Sequence, residues 1–153
     1  MNVESSASTS SDGSESYSIL NFTASERILL IEDNEQNRYL ATFLLEQAGC
    51  KVVHAANGPL GIQLAGCDDF DRILLDIQLP GMNGYDVARA LRQLPRMADV
   101  PIVAVTSYAM PGDREKALAA GCDGYLEKPI NPDTFVADVK RFGVRCAKES
   151  PSP

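Results

Sequence analysis

Three acids, a hydroxyl and an amine stand out in this chain because of where they fall. Glu32 and Asp33 close the apolar run RILLIE, Asp76 closes RILLD within ILLDIQLPGMNG, Thr106 closes PIVAVT, and Lys128 follows GYLE. If the fold gathers these ends, three carboxylates share one crevice, and a unit pair of like charges at about 4 Å costs roughly 4 kcal/mol at an effective dielectric near 20. Lys128 offsets one charge. A hard divalent cation offsets the rest, and Mg²⁺ suits the set because it takes one or two carboxylates, keeps waters and coordinates phosphate oxygens. Mn²⁺, which prefers the same oxygen ligands, is an acceptable substitute. The chemistry implied is that of a metal and a phosphoryl group.

The elements that must position these residues are legible in the apolar pattern. Residues 27–32, 51–55, 72–76, 101–106 and 124–127 read as five strands; the first, third and fourth are apolar on consecutive residues, as in strands covered on both faces. Between them, Leu40, Phe43, Leu44 and Ala48 recur at helical spacing and predict a helix from Glu35 to about Ala48, stopped by Gly49. Val87, Ala90, Leu91 and Leu94 predict a second, ended by Pro95, and Pro111 opens another that Gly121 closes. Phe135, Val139 and Phe142 mark a last helix after Pro132; over residues 58–65 the helical pattern is interrupted by Gly61. Strands alternating with helices over short connections require right-handed crossovers. The fold class is therefore α/β: a five-stranded parallel sheet, doubly wound, with helices on both faces. Such sheets bind ligands beyond the carboxyl ends of their strands, near the point where strand order reverses, which is where the five residues end up.

Each of the five has an ordinary structural explanation when taken singly. Asp33 suits a helix cap, Asp76 a turn before Pro80, Thr106 a strand and Lys128 the surface. Jointly those explanations fail, because independent turn residues have no reason to bring three carboxylates together.

The bulk properties exclude other classes. With 153 residues the chain fits one domain, and its 44% apolar and 23% charged residues are those of a soluble globular protein. A formal charge of −7 argues against nucleic-acid binding, which rests on clustered Lys and Arg. The opening residues 1–25 are Ser-rich and acidic and read as a disordered arm, with ILNF at 19–22 a brief apolar patch; 26–145 form the folded domain and 146–153 a flexible tail. Cys50, Cys67, Cys122 and Cys146 are scattered and His54 is not spaced as a metal partner, so the thiols read as reduced and the setting as cytoplasmic. No signal peptide or membrane span is expected.

LLIEDNEQNR, ILLDIQLPGMNGYDV and PIVAVTSYAMPGDREKALAAGCDGYLEKPI, with their spacings, closely resemble the receiver domain of two-component response regulators, over about residues 26 to 145. The resemblance implies the flavodoxin-like (βα)₅ receiver fold, with Asp76 the phosphoacceptor for a phosphohistidine on a histidine kinase or phosphotransfer protein. It implies Mg²⁺ held by Asp33 directly, Glu32 through water, Asp76, and the backbone carbonyl of Gln78. Lys128 and Thr106 would engage the phosphoryl oxygens, and Tyr125 would turn inward as the aromatic part of the switch; the alternative for Tyr125 is a half-buried strand aromatic. The Lys128-Pro129 bond falls where the family carries a cis peptide. Gln78 and Tyr108 would flank the path of a hydrolytic water, and a bulky Tyr108 would slow loss of the phosphate. The acid pair is Glu-Asp where Asp-Asp is frequent, and Asn83 stands where an Asp often precedes the glycine.

In the family, output is read on the face of the fourth helix, fifth strand and fifth helix, here about residues 111 to 145. That implies a downstream effector protein there, allows homodimerisation through the same face, and implies no catalysis beyond self-phosphorylation and slow autodephosphorylation. No effector domain follows in the sequence, so a stand-alone regulator is expected. The alternatives are a receiver excised from a hybrid kinase and a non-phosphorylated binding scaffold. An aspartyl-phosphate hydrolase would place an acid where Gln78 stands, and a dinucleotide binder would place glycines in EDNEQN.

Overall fold

In the computed structural model, which describes residues 26–107 and 110–142, strand and helix alternate along the chain. The order is β1 (Arg27–Ile31), α1 (Glu35–Gln47), β2 (Lys51–Ala55), α2 (Gly58–Cys67), β3 (Arg72–Asp76), α3 (Gly84–Gln93), a 3₁₀ turn (Pro95–Met97), β4 (Ile102–Thr106), α4 (Asp113–Ala119), β5 (Gly124–Glu127) and α5 (Phe135–Arg141). All strand pairs are parallel, in the order β2-β1-β3-β4-β5. Strand order reverses between β1 and β3, which defines the crevice. The arm, the tail and Tyr108 lie outside the described residues.

Consecutive apolar residues are needed in the central strands because alternate side chains feed two separate cores. Leu29 and Ile31 of β1, Ile73 and Leu75 of β3, and Ile102 and Ala104 of β4 pack with Val87 and Leu91 on one face. Ile28, Leu30, Leu74 and Val103 pack on the other with Leu45, Phe135 and Val139 of α1 and α5. The acids at the strand ends are thus held by strands that are immobilised from both sides.

Three helix details differ from the sequence pattern. On α1 the buried residues are Ala41 and Leu45, with Ala48 buried at the C-cap, whereas Phe43 is exposed and stacks on Tyr39 with ring centroids 6.5 Å apart. Leu40, Ala41, Phe43, Leu44 and Leu45 together span more than one face, so packing against Ile28 and Leu30 chooses the register. Gly61 does not interrupt α2, which runs to Cys67. It is a spacing device: a Cβ there would lie 2.5 Å from Ile31 Cδ1. Helix α4 starts at Asp113, later than Pro111, because Gly112 takes a left-handed φ of 89° and ends the turn before it.

Two arginines tie the edge of the sheet opposite the crevice. Buried Arg72 donates from Nε to Glu26 Oε1 (2.8 Å) and from Nη1 to the carbonyls of Val139 and Phe142 at the end of α5. Arg92 of α3 pairs with Asp123 (2.7 Å) and donates to the carbonyls of Gly121, Met97 and Val100. Cys50 and Cys122 are buried and Cys67 exposed, all three free. Among the described residues no helix is long and apolar enough to cross a membrane.

Candidate functional site

The loop after β1 is built to present two acids in succession. Glu32 N–H continues the pairing to the Ala55 carbonyl at 3.0 Å, which fixes the first acid at the strand end. Asn34 caps α1 by accepting from Asn37 N–H at 2.8 Å, and its own N–H donates to Glu32 Oε2 at 3.1 Å. Arg38 closes the loop from above, its Nη1 donating to the carbonyls of Glu32 (3.0 Å) and Asp33 (3.1 Å). Glu32 therefore turns inward and Asp33 outward.

After β3 the chain folds back immediately. Gly84 N–H donates to the Ile77 carbonyl at 2.9 Å, and a Cβ at Gly84 would lie 2.5 Å from Ile77 Cα and 2.7 Å from the Asp76 carbonyl oxygen. Asn83 caps α3 through Asp86 N–H at 3.0 Å. This closeness leaves Asp76 at the floor of the crevice, 3% exposed, beside Glu32 at 4%.

Glu32, Asp33 and Asp76 each offer an oxygen within 4.8 Å of the others. Lys128 Nζ lies 2.8 Å from Glu32 Oε1 and 3.4 Å from Asp76 Oδ2. Its backbone N–H donates to the Thr106 carbonyl at 2.8 Å, and the Lys128-Pro129 peptide is cis. Burial, then the neighbouring Glu32 charge, push the Asp76 carboxyl up to about 7, against the opposing pull of Lys128 and of the Gln78 N–H that donates to Asp76 Oδ1 at 2.9 Å. One ammonium thus leaves the three carboxylates undercompensated. An oxygen-only donor set with residual negative charge fits a hard divalent cation.

The residues expected from the sequence, Glu32, Asp33, Asp76, Thr106 and Lys128, are brought together at the ends of β1, β3, β4 and β5. Thr106 is buried and accepts from Gln78 Nε2, while Gln78 Oε1 accepts from Ser107 N–H at 3.0 Å. The Gln78 side chain, expected beside a water path, is thus engaged with the end of β4. Tyr125 is half-buried against the α2–α4 core, with its hydroxyl buried and unpartnered among the described residues.

Sequence reasoning missed Arg38, the cap Asn34, and the fit of Gly84 against Asp76. The cap carried a signal, an Asn just before a helical pattern. Arg38 and Gly84 act through contacts with backbone atoms that no residue pattern marks.

The parallel sheet in this strand order, with an acid cluster and a lysine at its switch point, defines a receiver-type architecture. Residues 28–140 match the response regulator receiver domain family, and the chain belongs to that family. It is similar to the polar-differentiation response regulator DivK of Brucella anthropi, 36% identical over 115 residues, 75% of this chain and 94% of that protein. Among solved structures it resembles the chemotaxis protein CheY4 of Vibrio cholerae, with TM-score 0.75 and 29% identity over 78% of this chain and 99% of that one. It also resembles the receiver domain of the sensor histidine kinase PA1611 from Pseudomonas aeruginosa, with TM-score 0.71 and 35% identity over 78% and 98% of the two chains. That structure carries a magnesium ion coordinated in its active-site cleft.

Proposed function

We propose that this receiver is a phosphorylation-dependent switch in which Asp76 accepts the phosphoryl group of a phosphohistidine on a histidine kinase or phosphotransfer protein. The observation that carries the reading is a buried carboxylate at the end of β3, set between Lys128 at 3.4 Å and a second buried acid, Glu32. In the transfer the donor P–N bond breaks and a P–O bond to an Asp76 carboxylate oxygen forms. The electron pair stays on the imidazole nitrogen, which takes up a proton. Asp76 reacts as a carboxylate and needs no general base. Mg²⁺, held by Asp33, Asp76 and the Gln78 carbonyl, with Glu32 through water, would neutralise the phosphoryl oxygens and favour ionised Asp76.

Lys128, already within reach of Asp76, supplies the fixed positive charge on one side of the phosphoryl group. Thr106 supplies a hydroxyl from β4, and Tyr125 follows it as the aromatic element of the change. The surface that responds is formed by α4, β5 and α5, where Leu118 of α4 is 45% exposed and Met110, in the loop before α4, is 63% exposed, an apolar offering to an effector protein. Its output is binding and not turnover of a separate substrate, and the three free cysteines suit a reducing cytoplasm. Tyr108, two residues past Thr106, is read as slowing phosphate loss; a phosphoprotein half-life of seconds or less would count against that role.

The test is incubation with Mg²⁺ and acetyl phosphate followed by intact mass measurement. A one-phosphoryl adduct is expected on the wild type and none on Asp76→Asn. No adduct on the wild type, or the same adduct on the variant, would sink the reading.

A further inference from the structure

The side chain of Gln78 spans a gap that the backbone leaves open. The last backbone bond between β3 and β4 runs from Ile77 N–H to the Val105 carbonyl at 3.0 Å. One step beyond it, the Gln78 carboxamide acts as an extra rung: Oε1 accepts from Ser107 N–H at 3.0 Å and Nε2 donates to Thr106 Oγ1. The orientation of the amide is fixed by its partners, because a backbone N–H can face only the oxygen. The backbone N–H of the same residue donates to Asp76 Oδ1 at 2.9 Å. Gln78 therefore touches the acceptor carboxylate with its main chain and the end of β4 with its side chain.

We propose that the Gln78 carboxamide is a latch that holds Thr106 and Ser107 in the resting position, and that Thr106 engages a phosphoryl group on Asp76 only after this latch opens. The proposal rests on Asp76 being the phosphoacceptor. Two hydrogen bonds made by one side chain favour the resting position of Thr106, so the arrangement with Thr106 turned to the phosphoryl group is a minor population until a phosphoryl oxygen on Asp76 accepts from the Thr106 hydroxyl and draws Oγ1 away from Gln78 Nε2. Removing the latch raises that population before any phosphate arrives. Gln78 is exposed, so its replacement leaves the core untouched. It is a positioning residue that acts through Thr106.

The experiment compares wild type, Gln78→Ala, Gln78→Met, Thr106→Val and the double variant Gln78→Ala/Thr106→Val. Two readouts are taken: amide hydrogen exchange of Ser107 in the unphosphorylated protein, and the rate of adduct formation with Mg²⁺ and acetyl phosphate. In both Gln78 variants Ser107 exchange is expected to quicken about tenfold as its acceptor is lost. Adduct formation is expected to quicken about threefold, and Gln78→Ala is expected to add nothing in the Thr106→Val background. A merely structural role would not make the gain depend on the Thr106 hydroxyl. Unchanged Ser107 exchange, unchanged or slower phosphorylation, or an equal gain with and without that hydroxyl would each overturn the latch while leaving the phosphoacceptor reading in place. No adduct on any protein, wild type included, would overturn both.

Discussion

Lys128 sits closer to Glu32 than to Asp76, with Nζ 2.8 Å from Glu32 Oε1 against 3.4 Å from Asp76 Oδ2. The ammonium thus serves two buried acids at once and satisfies neither alone. It is the one basic side chain within 4.0 Å of both carboxylates among the described residues, and the electrostatics of the crevice depend on it.

Lys128→Met is accordingly expected to destabilise the metal-free protein by about 3 kcal/mol, because it leaves two buried carboxylates without their cation. Urea denaturation checks this. The loss should be greater at pH 8 than at pH 5, where Asp76 can hold a proton and part of the repulsion vanishes.

The raised Asp76 carboxyl fixes the sign of a pH dependence. Its pKa is about 7 when folded, against 3.8 for the unperturbed group. Between those values folded Asp76 binds a proton that unfolded Asp76 has lost, so its contribution to metal-free stability is fully present below about pH 4, is lost as pH rises towards 7, and is level above. Each tenfold change in acidity is worth about 1.4 kcal/mol, so Asp76→Asn is expected to be more stable than wild type at pH 8 by roughly 2 to 4 kcal/mol. Denaturation midpoints of the two proteins should diverge more at pH 8 than at pH 5 and converge only below about pH 4.

A divalent cation should remove that penalty. Mg²⁺ at a hundredfold excess over its dissociation constant is expected to add about 2.7 kcal/mol to the unfolding free energy. Asp33 is exposed, so Asp33→Asn should leave the metal-free protein unchanged while largely losing the Mg²⁺-induced rise in melting temperature. A full rise in that variant would remove Asp33 from the ligand set.

Two glycines separate close packing from site geometry. At Gly61 an added Cβ meets the flexible end of Ile31, and Gly61→Ala is expected to cost about 1 to 3 kcal/mol by overpacking. At Gly84 it meets Ile77 Cα and the Asp76 carbonyl, both backbone atoms. Gly84→Ala should therefore displace the acceptor strand end and reduce phosphorylation by acetyl phosphate far more than Gly61→Ala, measured as adduct per hour on folded protein.

Strand identities were legible because β1, β3 and β4 must be apolar on both faces, and the site was legible because its acids and Thr106 stand at the ends of such runs, with Lys128 just after the fifth strand. The helix faces were less so. On α1 the helical spacing picks out Leu40, Phe43, Leu44 and Ala48, whereas the sheet beneath buries Ala41 and Leu45 and leaves Phe43 exposed. Gly61 resembles a helix breaker until Ile31 is seen to occupy the missing side chain's place. The Gln78 bridge could not be read at all, since it depends on how far two strand ends stand apart, a distance no pattern of residue types encodes.

The two arginines opposite the crevice set where this domain can move. Arg72 fastens the foot of β3 to the end of α5, and Arg92 fastens α3 to the turn before β5. With its base clamped and its strands packed on both faces, the sheet is expected to yield least at its feet and most in the loops beyond its tips, so a disturbance at the end of β3 would pass sideways from loop to loop.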